Sequence, residues 1–140
     1  MNNIEIISQH PDYSKQDLEL DHRLERCFQD LSLKKAICCL LVTDRHLLDL
    51  NRQVLDHDYY TDIITFDYSS DSDYTHSELY ISLDRVKENA KEYEVGMLEE
   101  LHRVIIHGML HLAGHTDKTE DEKQKMRSLE NHYLALSRST

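Results

Sequence analysis

The sequence predicts an α/β protein of the α+β kind: a small mixed four-stranded sheet covered by about five helices, with a metal site on a central helix. Three observations predict it. Short apolar runs bounded by polar or turn residues supply four strands, and between them apolar residues recur at helical spacing. A late segment, apolar on almost every side, carries two histidines four residues apart. The 140 residues bury a sizeable core and are most simply one domain spanning 1–140.

Ile4-Glu5-Ile6-Ile7 alternates in part and reads as the first strand, which Pro11 stops. From about Ser14 to Leu31, the residues Leu20, Leu24, Cys27, Phe28 and Leu31 share one face of a helix. Leu33 to Thr43 encloses Ala-Ile-Cys-Cys-Leu-Leu-Val, the unbroken apolar run of a strand buried on both faces. Thr43 or Asp44 can cap the next helix, which carries Leu47, Leu48, Leu50 and Val54. His57 to Asp62 is a polar, aromatic loop, and Ile63-Ile64-Thr65-Phe66 continues as the third strand. Asp67 to Ser77, rich in Ser and Asp, is expected to be flexible. Leu79-Tyr80-Ile81-Ser82 makes the fourth strand, and Asp84 to Glu94 a charged helix with Val86, Ala90 and Tyr93 inward. Gly96 separates it from the central helix. A last helix runs from about Lys118 to Leu136 through Met126, Leu129, Tyr133 and Leu136.

The central helix begins near Leu98. His107 and His111 stack one turn apart on it, so both imidazoles can reach one metal ion. With ten histidines in the chain, such a pair arises by chance, and its surroundings matter more than its spacing. Ile105, Ile106, Met109, Leu110 and Leu112 make the helix a buried one, where unpartnered imidazoles are costly and a shared metal satisfies both. Gly114 can end the helix and reverse the chain, bringing back Asp117 or His115 as a third ligand. Three protein ligands and an open position describe a catalytic site. His10, His22, His46, His76, His102 and His132 read as surface residues.

The net charge of −11 argues against a general nucleic-acid coat and is compatible with a nuclease that attracts phosphate locally. No apolar run is long enough to cross a bilayer and the N-terminus lacks a signal pattern, so a cytoplasmic protein without a membrane partner is expected. Cys27, Cys38 and Cys39 are an odd number without metal spacing and read as small buried hydrophobes.

His107-Gly108-x-x-His111 is similar to the His-Glu-x-x-His of zinc metallopeptidases, but Gly108 stands where those enzymes place their general base, which weakens a peptidase reading. The longer run His107-Gly108-Met109-Leu110-His111-Leu112-Ala113-Gly114 resembles the YbeY family signature His-Gly-x-Leu-His-Leu-x-Gly-Tyr-Asp-His. Leu50-Asn51 with Thr61-Asp62-Ile63-Ile64-Thr65-Phe66 is similar to that family's Leu-Asn…Thr-Asn-Val-Leu-Ser-Phe, and Glu78-Leu79-Tyr80-Ile81-Ser82 to its Gly-Asp-Ile-x-Ile-Ser.

The resemblance implies a metal-dependent, single-strand-acting endoribonuclease with one zinc ion or another divalent metal in its place, engaged in maturation of the small-subunit rRNA 3′ end and in ribosome quality control. Its partners would be rRNA and the small ribosomal subunit, not DNA. The family's last motif histidine falls on Asp117, which makes His107, His111 and Asp117 the implied metal ligands; a helix ending at Gly114 also favours Asp117 over His115. The family's tyrosine is His115, its glycine before the fourth strand is Ser77, and an arginine of the family falls on Leu55. His57 and Thr61 are candidates to orient phosphate or move a proton, and Glu78 to support a metal-bound histidine. The alternative reading is a metal-stabilised ribosome assembly factor with little nuclease activity.

Overall fold

The structure, a computed structural model, describes residues 3–136. Its strands are β1 (Ile4–Ser8), β2 (Ala36–Val42), β3 (Ile63–Phe66) and β4 (His76–Ser82), joined in one sheet in the order β1-β2-β4-β3. β1, β2 and β4 run parallel, and β3 returns antiparallel to β4 with Ile63 opposite Ile81. Five α-helices complete the mixed fold: α1 (Arg23–Asp30), α2 (Asp44–Leu55), α3 (Leu83–Glu92), α4 (Met97–Leu112) and α5 (Glu120–Leu134).

β2 faces apolar surroundings on both sides. Ile37, Cys39 and Leu41 join the main core with Leu79, Ile81 and the α4 residues Leu101, Ile105, Ile106 and Met109. Leu40 and Val42 join Leu47 and Ile64 in a smaller core under α2. α4 lies on the larger core, packed against β3, β4, α1, α3 and α5. Gly108 permits that close approach: a Cβ there would stand 2.8 Å from Ile63 Cδ1 and 2.9 Å from Leu79 Cδ1. The three cysteines are free, Cys27 and Cys39 fully buried, and burial pushes the Cys27 thiol up to about 12.

The helix expected over 14–31 is in two pieces. Ser14 caps a 3₁₀ turn at Lys15–Asp17, and α1 starts only at Arg23. Between them Asp21 turns inward. Its N–H donates to His102 Nε2 (3.1 Å) and its carboxylate accepts from Arg23. Arg23, 1 % exposed, also donates to Glu99 and, at 2.9 Å, to the Leu134 carbonyl near the end of α5. One guanidinium thus ties three helices together.

His102 and His10, read from the sequence as surface residues, are buried. His102 Nδ1–H donates to the Leu98 carbonyl (2.7 Å), while His10 pairs with Asp84 (2.8 Å) and accepts from the Asp12 N–H. Tyr93, expected inward, is 53 % exposed at the end of α3. β4 begins at His76 because its pairing with β2 extends back to Ala36. The 67–77 segment is also organised: Lys35 donates to the carbonyls of Asp71 and Tyr74, and the Tyr68 and Tyr74 rings stack at 3.8 Å. α5 starts at Glu120, behind the Thr119–Glu122 capping box, instead of near Lys118.

Candidate metal centre

α4 ends at Leu112, and Gly114 reverses the chain with φ 99°. The Gly114 N–H donates to the His111 carbonyl and the His115 N–H to the Leu110 carbonyl, both at 3.0 Å. This bond pair is the Schellman turn, and its left-handed residue costs any side chain with a Cβ about 1–2 kcal/mol. His115 leaves toward a separate hollow beside Thr116 and Lys125. Asp117 comes back. Its Oδ2 lies 3.4 Å from His107 Nε2 and 3.5 Å from His111 Nε2, and the two Nε2 atoms are 3.0 Å apart. Among the described residues this is the one group of histidine, cysteine or carboxylate ligands able to close on a metal, its donor atoms all within 4.8 Å of one another.

α5 supplies what stands behind His107. Glu130, 6 % exposed, accepts from His107 Nδ1 at 2.8 Å and from Arg103 at 2.9 Å. Burial pushes the Glu130 carboxyl up, but these two hydrogen bonds outweigh it and hold it below the usual range. An ionised carboxylate only accepts, so the ring hydrogen of neutral His107 belongs on Nδ1 and the Nε2 lone pair faces His111 and Asp117. Such a donor set fits a zinc-type cation. Burial pulls the His107 pKa down, while Glu130, Asp117 and Asp62 raise it above the ordinary imidazole value. A proton on Nε2 is therefore the competitor a metal must displace.

Beside His107 opens a cleft of about 310 Å³ between α4, α5, the end of α3 and the start of β3. Asp62 lines it, with burial pushing its carboxyl up despite the opposing charge of His107. Arg103, Lys123 and Arg127 are its cations. Leu55, where the resemblance places an arginine, is 43 % exposed at the end of α2.

The remaining sequence candidates make their contacts with other groups than the histidine pair. Thr61 directs its hydroxyl to the Ile63 carbonyl (3.4 Å), and His57 stacks on Tyr59 and bonds its hydroxyl (3.0 Å). Glu78 corrects the expectation of a strand carboxylate behind a ligand. Strand alternation sends Leu79 and Ile81 toward α4 and Glu78 to the opposite face, beside Glu5, Cys38 and Tyr74. That supporting place belongs to Glu130, and neither it nor Arg103 or Asp62 was singled out from the sequence. Glu130 shares an α5 face with Met126 and Tyr133, and an acidic residue on that core-facing stripe is the signal that could have found it.

Residues 4–137 match the family model described as Endoribonuclease YbeY. The chain is 50% identical over 97 residues to an Endoribonuclease YbeY of Cytophaga hutchinsonii, covering 69% of this chain and 68% of that one. It is 51% identical over 100 residues to the protein of the same name from Phocaeicola vulgatus, covering 71% and 72%. The solution structure of TM1509 from Thermotoga maritima superimposes with a TM-score of 0.63 at 27% identity, over 94% of this chain and 86% of that one. By the span of the family match and the identity of these relatives, the chain belongs to the Endoribonuclease YbeY family.

Proposed function

We propose that the protein hydrolyses single-stranded rRNA in the cytoplasm, maturing the small-subunit rRNA 3′ end and acting in ribosome quality control, with one zinc ion on His107, His111 and Asp117. The convergence of those three side chains on one point, with Glu130 behind His107, carries the reading. A zinc ion held there supplies Lewis acidity toward a phosphodiester oxygen and toward water. Glu130 holds the His107 ring with its lone pair toward the centre, and Arg103 keeps Glu130 ionised and in place. Asp62, on the cleft wall beside His107, is the carboxylate placed to hold or take a proton from an attacking water. Arg127 and Lys123 present cations from α5 in a protein of net charge −11, so RNA contact is local and few phosphates are neutralised.

Freshly purified protein should carry close to one equivalent of metal and cut single-stranded rRNA, with His111→Ala losing both. The exposed Leu55 in place of a cation favours a second reading, an assembly factor of the small subunit with little cleavage of its own. Full metal content with no metal-dependent cleavage would decide for it. Full metal content in His111→Ala would reject the centre itself.

A further inference from the structure

The cleft beside His107 contains a carboxylate that the metal centre does not use. Glu100 stands in the first turns of α4 and is 4 % exposed. Its backbone N–H donates to the Gly96 carbonyl, but among the described residues its carboxylate has no hydrogen bond and no ion pair. Its oxygens are not sealed in either, because the buried side-chain atoms without a partner are Glu25 Oε2 and Arg85 Nε. The Glu100 carboxylate therefore opens on the cleft it lines. Burial pushes its pKa up, and the charges of Arg103 and Arg127 pull it back by less. A carboxylate kept in that condition lacks donors, and the fold supplies none.

The walls around it are of a different kind. Tyr93 lines the cleft with half its surface exposed, and Val104 and Met126 make an apolar floor. A ring, an apolar floor and a two-oxygen acceptor fit a flat heterocycle with N–H donors on its edge, the way single-stranded RNA bases are read. We propose that this cleft takes one base of the RNA and prefers guanine, Glu100 accepting from N1–H and the N2 amino group while Tyr93 lies against the ring; the identity of the ligand as RNA rests on the endoribonuclease reading. Guanine alone places parallel N–H donors on its Watson–Crick edge. Adenine and cytosine set a bare ring nitrogen beside their amino group, and uracil flanks its N–H with carbonyl oxygens, all of which a carboxylate repels. His107 lies seven residues further along α4, roughly 10 Å at the helical rise per residue, the reach from a base edge through ribose to the flanking phosphate. The base pocket thereby selects which phosphodiester faces the histidines.

The test titrates the full chain, as purified and again after chelation, with GMP, AMP, CMP and UMP, following amide NMR shifts. GMP should bind about ten-fold tighter than the others, the worth of one bidentate base contact. Glu100→Gln should erase that preference, and Tyr93→Leu should weaken all four nucleotides while keeping their order. 1-Methylguanosine monophosphate, lacking the N1 donor, should bind native protein no better than AMP; should Glu100→Gln fail to fold, this arm decides alone. Equal affinity for the four nucleotides, a preference that survives Glu100→Gln, or binding of arginine amide in place of GMP would each overturn the proposal. Guanine preference in a protein that never cleaves RNA leaves this pocket standing and sinks the nuclease reading; cleavage without base preference does the reverse.

Discussion

Gly108→Ala adds one methyl at the tightest contact between α4 and the sheet. The new Cβ would lie 2.8 Å from Ile63 Cδ1, 2.9 Å from Leu79 Cδ1 and 3.0 Å from Leu79 Cδ2. Carbon atoms rest at about 3.5–4.0 Å, so each contact is short by at least about 0.5 Å. Leu79 is fully buried and cannot retreat into solvent. Overpacking of this kind costs about 1–3 kcal/mol. Alanine in place of glycine within a helix returns up to about 1 kcal/mol. The net expectation is a loss of about 1 kcal/mol in urea unfolding at neutral pH. Removing the obstacle should reverse the sign: Leu79→Ala alone loses about 2–5 kcal/mol, but in that background Gly108→Ala becomes neutral or stabilising. A double-mutant cycle with no coupling between positions 79 and 108 would show that steric contact does not exclude a side chain there. The same geometry explains why the metallopeptidase comparison fails on more than chemistry, since a glutamate at 108 would be driven into Ile63 and Leu79 and away from any ligand.

Three further outcomes follow from buried polar groups. Glu130→Gln removes the charge behind His107 and should weaken metal binding about 10–100-fold while leaving Asp117 in place, read by competition with a chelator; unchanged affinity would remove Glu130 from the centre. Burial holds the His102 imidazole below its ordinary pKa, and Nε2 accepts the Asp21 N–H, so the folded protein resists a proton that the unfolded chain takes up. Its contribution is complete above pH about 6.5 and drains as pH falls from there toward the folded value; His102→Gln should lose stability at pH about 7.5 yet fall less steeply by pH about 5.5, and an equally steep fall would contradict the assignment. Arg23→Met leaves Asp21 and Glu99 facing each other and the Leu134 carbonyl unpaired. It should lose about 3 kcal/mol, the lower end for a broken buried pair because both carboxylates keep roughly a quarter of their surface in water, and a loss below about 1 kcal/mol would refute the role.

The sequence displayed features that repeat along the chain or lie within a few residues of one another. His107 and His111 share a helix face, Gly114 supplies the turn, and Asp117 follows at the length that lets it return, so the gathering of these three side chains, a group that could hold a metal, was legible. The double-sided burial of β2 and the strand at 63–66 were legible for the same reason. What stayed hidden depends on contacts distant in sequence. Glu130 is an ordinary acidic residue until α5 lays it against His107. His102 looks like any helical histidine until Asp21 donates to it from a segment whose local pattern suggested continuous helix. Glu78 and Tyr93 show the reverse failure: residue type and spacing suggested a site carboxylate and a core aromatic, and strand alternation and the helix end placed each of them elsewhere.

The guanidinium of Arg23 has a consequence for synthesis on the ribosome. It waits on an early helix for a carbonyl at residue 134, and with α5 docked it is 1 % exposed. Until residue 134 has emerged, the nascent chain lacks that anchor, and it lacks a seated Glu130 behind His107 and the Met126 floor of the cleft. The early residues can form their strands and α4 its two histidines, but the centre is unfinished. A member of an endoribonuclease family is thus completed by its α5 helix, which keeps a half-made chain from presenting a finished centre before its synthesis is done.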